Sequence, residues 1–169
     1  MKLLEPFPLG SHTLNNRMVM AAMTRSRADA NGIIGDMTAE YYAQRASAGL
    51  ILSEAINISA DAMGSPLTPG LYSDAQIAAW QKITAAVHEK GGLIYAQLWH
   101  TGGVAHSIDR HGALPVAPSA IAINVAGVKH FTSQGAKDYE TPRALSLAEI
   151  EQTISDYAQA AKNAIKAGF

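Results

Sequence analysis

Short apolar runs that stop at polar residues alternate along this chain with segments of helical periodicity. The apolar runs predict strands over residues 17–23, 49–55 and 93–99. The periodic segments predict helices over residues 38–47, 73–90 and 147–167. Because strands and helices alternate, the predicted sheet is parallel, and we expect its third strand to be covered on both faces.

All three predicted helices have recognisable starts, and Ser73 or Asp74 is expected to cap the second one. Thr38 precedes a run of good helix formers and is expected to be an N-cap. Ser146 and Glu149 have the spacing of a capping box, in which each residue satisfies a free backbone N–H of the other. The helix predicted over 147–167 is long and amphipathic, with apolar residues recurring at helical spacing.

Two segments fall outside the alternation. Residues 3–16 place Pro, Gly and Asn around short apolar pieces, which predicts a small hairpin that closes one end of the sheet. Residues 101–143 lose all helical period and predict an excursion that contains a hairpin. Its β-like pieces are at 120–123 and 128–132, and we expect the excursion to fold over the polar ends of the strands.

The order of these elements predicts an α/β fold that is about half of a barrel. The first strand-to-helix turn lacks the glycine fingerprint of a dinucleotide site, and the chain has no Walker sequence, so a barrel is favoured over a Rossmann or P-loop fold. We expect residues 1–169 to form one partial barrel of about three strand-helix units plus the excursion at 101–143.

Composition narrows the class of protein without assigning a function. The 169 residues carry a formal net charge of -1 with acidic and basic residues interspersed, so neither a nucleic-acid partner nor a membrane surface is indicated. There is no cysteine, which excludes disulfides and thiolate chemistry. The N-terminus meets Glu5 and Pro6 without a long apolar segment, so we expect no signal peptide and a cytoplasmic location.

All three predicted strands end in side chains that can do chemistry. Thr24 follows the first strand, Glu54 and Ala55 end the second, and Gln97 and Trp99 end the third. Ligands of parallel α/β folds bind at the carboxyl ends of the strands, so one shared site is the economical interpretation. A buried amide such as Gln97 needs partners, which the protein or a ligand could supply. Glu54 is either a base or a side chain paired with a neighbouring loop.

Six motifs, in this order and spacing, resemble the old yellow enzyme family over the whole chain. They lie at 20–25 (MAAMTR), 41–46 (YYAQRA), 49–55 (GLILSEA), 97–102 (QLWHTG), 116–120 (VAPSA) and 142–145 (PRAL). The resemblance implies that this chain is the N-terminal half of a (β/α)8 barrel. Such barrels bind flavin mononucleotide (FMN) and use NAD(P)H to reduce activated alkenes such as enones and maleimides. Some members of the family reduce nitro compounds or nitrate esters.

Position by position, the resemblance implies five contacts with the flavin. The backbone of Ala22 and Met23 would lie against the ring. The hydroxyl of Thr24 would bond the region of flavin O4 and tune the redox potential. Ala55 would be the small residue beside the ring, and Gln97 would be the amide that pairs with its pyrimidine edge.

The resemblance also assigns Trp99 to the substrate pocket above the flavin. His100 and His106 match no catalytic position of the family and are expected to hold the excursion in place. The chain departs from the family at Gly103, where many members carry Arg. It departs again at Ser65, where some members place an aromatic residue over the substrate.

The family's other functional groups lie beyond Phe169: a His-His or His-Asn pair, a Tyr proton donor, an FMN-binding Arg and the phosphate site. We therefore expect this chain to need a complementary C-terminal barrel half, and alone neither to fold stably nor to bind FMN tightly. The leading hypothesis is the N-terminal part of an FMN-dependent ene-reductase, and the alternative is a non-catalytic half-barrel fragment or scaffold. An aldolase or isomerase is disfavoured, because the strand ends offer no Lys nucleophile, carboxylate pair or metal cluster.

Overall fold

The computed structural model describes residues 1–169. The strands are β1 (Phe7–Leu9), β2 (His12–Leu14), β3 (Val19–Met20), β4 (Leu50–Asn57), β5 (Ile94–Trp99), β6 (Val116–Ala117), β7 (His130–Thr132), β8 (Gly135–Lys137) and β9 (Arg143–Ala144). The helices are α1 (Asp36–Ala43), α2 (Asp74–His88) and α3 (Leu147–Lys166). None of these helices combines the length and the apolar character that crossing a bilayer requires.

A three-stranded parallel sheet in the order β3-β4-β5 forms the centre of the molecule. All three helices pack on one side of it, called the covered face below. Ile51 and Ile94, paired on neighbouring strands, are fully buried there together with Trp80 of α2. Tyr42 of α1 joins the same cluster, with its ring centre 6.3 Å from that of Trp80. Each such side chain contributes about 1.5–3 kcal/mol by leaving water, so this layer drives folding.

The opposite side of the sheet, called the open face below, carries no helix. Val19 is 50% exposed, and Gln97 is exposed as well. The expectation that the third strand is covered on both faces is therefore wrong for this chain, because all three helices pack on the other side. Both edges of the sheet, β3 and β5, also lack a further strand partner.

Several predicted bounds differ from the observed ones. β3 contains only Val19–Met20 where a strand over 17–23 is predicted. Shortly after β3, the backbone N–H of Arg25 bonds to the Glu54 side chain of β4 and not to the backbone of that strand. β4 continues to Asn57, two residues beyond its predicted end. In the excursion, 120–123 forms no strand, whereas 128–132 contributes β7, which pairs with β8 in the expected hairpin.

Two smaller sheets lie at the borders of the central one. β1 and β2 form the predicted N-terminal hairpin, and His12 of this hairpin places its ring 6.3 Å from that of Tyr95 near the start of β5. β6 and β9 form a short parallel pair that joins an inner part of the excursion to its C-terminal end. The sequence pattern does not predict this second pairing, because each strand is only two residues long.

Capping residues explain two helix starts, and tertiary packing decides the third. Ser73 and Gln76 form a capping box at the start of α2. The predicted capping box of α3 is present: Ser146 Oγ accepts the N–H of Glu149, whose carboxylate accepts the N–H of Ser146. The first helix spans Asp36–Ala43, so the prediction of a helix over 38–47 is wrong at both ends. Thr38 is not the N-cap, because its side chain is buried inside the first turn.

The large apolar side chains of α3 point away from the core. Ile154 and Ile165 are 64% and 75% exposed, whereas α3 buries only small residues and one amide against the rest of the chain. The amphipathic pattern thus predicts the helix correctly, but its large apolar side has no partner within these residues. We call this surface the outer stripe; its members are Leu147, Ile150, Ile154, Tyr157 and Ile165.

Candidate functional site

A β-bulge near the end of β4 decides which side chains reach the open face. Leu52 pairs with Tyr95 and Ala55 pairs with Gln97, so three steps along β4 oppose two steps along β5. The extra residue reverses the alternation, so that Ala55 lies opposite the exposed Gln97 while Ile56 enters the core. Small Ala55 and the amide of Gln97 are therefore neighbours on strands that lie about 4.8 Å apart.

Gln97 is free to meet a ligand. Its side chain is exposed and forms no hydrogen bond within the chain, while its backbone N–H donates to Ser53 Oγ at 3.1 Å. The expectation of a buried amide that must be satisfied is wrong here, because the open face of β5 is uncovered. The site still presents two donors and an acceptor of Gln97 next to a small residue.

The segment that contains Thr24 is held against the end of β4. Thr24 and Met23 are exposed, and Ala22 is half-buried. The backbone N–H of Arg25 donates to Glu54 Oε2 at 3.1 Å, and the Arg25 guanidinium lies 4.9 Å from the ring centre of Tyr41. These two contacts fix the residue that follows Thr24, so the Thr24 hydroxyl is available beside the strand ends.

Glu54 is paired with a neighbouring loop, which is the second of the two alternatives open from the sequence. Its side chain is buried, and its backbone N–H donates to the Tyr42 hydroxyl at 2.7 Å. Burial raises the pKa of Glu54, although the Arg25 N–H, the Arg25 charge and the Tyr42 hydroxyl oppose the shift. Burial likewise raises the pKa of Tyr42. One carboxylate oxygen, Oε1, is buried without a partner.

Trp99 is anchored by a residue that the sequence analysis misses. Its indole Nε1 donates to Asn57 Oδ1 at 2.7 Å. Asn57 Nδ2 in turn donates to Thr68 Oγ1 at 3.0 Å and to the carbonyl of Pro69 at 2.9 Å. The half-buried indole is thus fixed to the long loop after β4. An Asn at the end of an apolar run is the signal that could have identified this anchor.

The two histidines of the excursion have local structural partners. His100 Nδ1 accepts the N–H of Gly102 at 3.0 Å, and His106 Nδ1 accepts the N–H of Ile108 at 3.2 Å. Burial, and then the nearby charge of Arg110, lower the pKa of His100. Each of these contacts lies within the histidine's own turn, so the role of the two histidines in holding the excursion stays a prediction.

A cavity lies beside the candidate site rather than in it. It has a volume of about 610 Å³ and lies between the loop after β4 and the excursion, where Asp61 and Arg110 meet. None of the predicted flavin contacts lines it, nor does Trp99. On the open face the N-terminal hairpin covers only the end near Val19 and Leu50, with a cavity of about 340 Å³ between them, whereas Gln97 is exposed.

The open face fits FMN better than it fits a metal ion. Ala55 leaves room beside the exposed donors and acceptors of Gln97 and Thr24, which suits a planar ring with polar edges. No group of three or more His, Cys, Asp or Glu side chains is placed to hold a metal.

Comparison with known proteins identifies relatives along the entire chain. The sequence matches the profile of the NADH:flavin oxidoreductase / NADH oxidase family over residues 2–169. Chanoclavine-I aldehyde reductase fgaOx3 of Penicillium roqueforti is 46% identical over 173 residues, covering 99% of this chain and 44% of that protein. 12-Oxophytodienoate reductase 7 of Oryza sativa subsp. japonica is 40% identical over 99% of this chain and 43% of its own length. The chain therefore spans less than half the length of these relatives.

Solved structures agree with the sequence comparison. The old yellow enzyme homologue from Zymomonas mobilis has a TM-score of 0.93 and 49% identity, covering 100% of this chain and 46% of that one. Morphinone reductase in complex with tetrahydroNAD has a TM-score of 0.90 and 46% identity, covering 100% of this chain and 47% of its own. The α/β fold thus matches the N-terminal portion of these barrels, and the chain belongs to the old yellow enzyme family of NADH:flavin oxidoreductases.

Proposed function

We propose that this chain is the N-terminal part of an FMN-dependent ene-reductase that reduces activated C=C bonds with NAD(P)H. The observation that carries the proposal is the pairing of Ala55 with Gln97 on the open face. A small side chain beside a free amide offers a planar ring both space and hydrogen bonds. Membership of the family supports the same cofactor.

The residues of this chain would bind and orient the cofactor. Gln97 would hold the pyrimidine edge of FMN, and the Thr24 hydroxyl would donate to the O4 side. The backbone of Ala22 and Met23 would support the ring, and Ala55 would leave space for it. When bound, FMN supplies the hydride-transfer chemistry between NAD(P)H and the alkene.

Trp99 would form a wall of the substrate pocket, held in one orientation by its hydrogen bond to Asn57. Ser65 lies on the loop to which Asn57 is tied, and its small side chain leaves more room than an aromatic residue would. We expect enones and maleimides as substrates, with nitro compounds and nitrate esters as further acceptors.

The partner we propose is a complementary C-terminal barrel half. The outer stripe of α3 and the unpaired edges of β3 and β5 support it, because apolar side chains and free strand edges are unfavourable in water. Further strands beside β3 and β5 and a helix against the outer stripe would satisfy all of these surfaces. The same surfaces support a second candidate function, a non-catalytic half-barrel scaffold that assembles with another chain without binding flavin.

The test joins residues 1–169 to the C-terminal part of the Zymomonas mobilis homologue in one polypeptide, called the chimaera below. We expect the purified chimaera to contain FMN, to show flavin absorption in the visible range, and to oxidise NAD(P)H when an enone or maleimide is present. A folded chimaera that takes up no FMN would contradict the proposal and favour the scaffold. A flavin-loaded chimaera that reduces no alkene would contradict the reaction.

Two glutamine variants make this test specific. Gln97→Ala should raise the Kd for FMN about tenfold, the effect of losing roughly one well-placed hydrogen bond. Gln81→Ala is the matched control, because Gln81 is an exposed glutamine of α2 whose amide bonds only the carbonyl of Lys166. Equal Kd values for the two variants would exclude Gln97 as a flavin contact.

A further inference from the structure

The bulge residues Ser53 and Glu54 reach both neighbouring strand segments with their side chains. On one side, Ser53 Oγ accepts the backbone N–H of Gln97 at 3.1 Å. On the other side, Glu54 Oε2 accepts the backbone N–H of Arg25 at 3.1 Å. In an uninterrupted parallel ladder such amides bond to backbone carbonyls of the adjacent strand. Here two side chains replace those carbonyls, one in each direction.

The bulge itself is held rigidly. Ser53 has no exposed surface, and Glu54 is 1% exposed. The Ser53 hydroxyl donates to the carbonyl of Glu54 at 2.7 Å, and the N–H of Glu54 donates to the Tyr42 hydroxyl at 2.7 Å. A chain of hydrogen bonds therefore runs from Gln97 through the bulge to α1, with little freedom for any member to move.

We propose that the Ser53–Glu54 bulge is the positioning element of the cofactor site, with Ser53 placing Gln97 and Glu54 placing Thr24 through the adjacent amide of Arg25. The inference rests on the proposed function, because Gln97 and Thr24 are the two polar side chains expected to contact the flavin. Neither bulge residue contacts the cofactor itself. The bulge acts by fixing the positions of Gln97 and Thr24 on either side of β4.

The composition of the bulge supports a positioning role. Burying the Glu54 carboxylate with one unpaired oxygen lowers the stability of the fold. An apolar side chain of similar size would lower the stability less. An apolar side chain, however, would leave the Arg25 amide without its acceptor. Bulges are frequent beside functional sites because they re-aim side chains, and this bulge also places Ala55 opposite Gln97.

Amide hydrogen exchange in the chimaera tests the local part of the proposal, and it needs no bound flavin. Ser53→Ala should speed exchange at the Gln97 amide about tenfold and leave the Arg25 amide unchanged. Glu54→Leu should speed exchange at the Arg25 amide about tenfold and leave the Gln97 amide unchanged. Glu54→Gln keeps an oxygen acceptor and should therefore have a smaller effect at Arg25 than Glu54→Leu. The amide of Val87, in the core part of α2, reports global opening.

Asp109→Asn is the matched control. Asp109 is another largely buried carboxylate, and it accepts a backbone N–H, that of Ser133, at 3.2 Å. It lies in the excursion and not in the central sheet. Its substitution should change exchange at neither Gln97 nor Arg25. If Glu54→Leu does not fold, Glu54→Gln gives the same comparison with the smaller effect.

FMN binding tests the functional part. Ser53→Ala and Glu54→Leu should each raise the Kd for FMN about tenfold and shift the visible absorption maxima of the bound flavin, whereas Asp109→Asn should do neither. Unchanged exchange at Gln97 and Arg25, or an equal increase at Val87, would overturn the proposal. Faster exchange at the Gln97 or Arg25 amide together with an unchanged Kd for FMN would also overturn the proposal. A parent chimaera without FMN would refute the proposed function alone, since exchange would still show whether the bulge places both strand segments.

Discussion

The two faces of the central sheet are built from the same three strands but differ in how far their side chains are buried. On the covered face, Ile51 and Ile94 are fully buried against Trp80. On the open face, Val19 is half exposed, and the side chain of Gln97 has no partner in the chain. The covered face holds the hydrophobic core, although Ala96 and Leu98 of β5 stay half-buried beside α3. The open face presents the groups that we assign to a cofactor.

This difference shows how one strand can serve stability and binding at once. Successive side chains of a strand point to opposite faces, so alternate residues can be specialised independently. Substitutions on the covered face should therefore lower stability, and substitutions on the open face should lower ligand affinity. The predictions below test that separation.

The largest effect is expected on the covered face. Trp80→Ala in the flavin-free chimaera should lower the free energy of unfolding by about 3–5 kcal/mol, because it leaves a large cavity and removes the hydrogen bond from the indole to the carbonyl of Gly70. Gln97→Ala should change it by less than about 0.5 kcal/mol. Urea unfolding of both variants makes the comparison. Similar losses for the two would show that the faces are not separate.

The outer stripe of α3 extends the comparison to a helix. When the two barrel halves are produced as separate chains, Ile154→Lys should weaken their association by about 1.5–3 kcal/mol, the value of burying one such side chain. Ser155→Lys introduces the same charge at an exposed polar position of the same helix and should have little effect. Calorimetric titration of one half with the other measures both. Equal weakening would mean that charge, and not the outer stripe, is responsible.

The buried acid on β4 should make stability fall as pH rises. Burial raises the pKa of Glu54 from its ordinary value of 4.5, so the folded chain holds this proton more tightly than the unfolded chain. Its stabilising contribution is therefore present below pH 4.5 and lost as the pH rises through the folded-state pKa. Glu54→Gln should gain stability relative to the parent over that range, measured by urea unfolding at a series of pH values. Parallel pH profiles would contradict this expectation.

An exposed acid at the start of α3 should show the opposite and smallest dependence. A side-chain hydrogen bond from Arg143, followed by bonds from Ser146, lowers the pKa of Glu149 to about 2. Its contribution is present above pH 4.5 and lost as the pH falls towards 2. Glu149→Gln should remove this loss, and salt should weaken the effect in the parent. A profile unchanged by the substitution would show that the ion pair adds nothing measurable.

The sequence predicts the alternation of elements well because that alternation depends on local patterns. The three parallel strands, α2 and the capping box of α3 follow from apolar runs and from the preferences of Ser and Glu at a helix start. The start of α1 does not follow, because burial of Thr38 by tertiary contacts overrides its capping preference. The sequence likewise does not predict that the outer stripe is exposed, because periodicity shows that one side of a helix is apolar but not what packs against it.

The sequence predicts which residues lie at the strand ends, but it does not predict what holds those residues in place, and the flavin contacts assigned to them stay predictions. Thr24, Ala55, Gln97 and Trp99 are found from their places at the ends of apolar runs. The register that sets Ala55 opposite Gln97 depends on the bulge, and a strict two-residue period would have put Ala55 on the covered face. Ser53, within an apolar run, carries no sequence signal for its contact with the neighbouring strand.

The bulge also means that β4 is one residue longer than its packing requires. Deleting a single residue between Leu52 and Ala55 would restore an uninterrupted strand, keep Ile56 in the core and leave Ala55 opposite Gln97. The same deletion would remove either Ser53 or Glu54, and with it the acceptor of the Gln97 or the Arg25 backbone N–H. The extra residue therefore serves the contacts between the strand ends rather than the packing of the core.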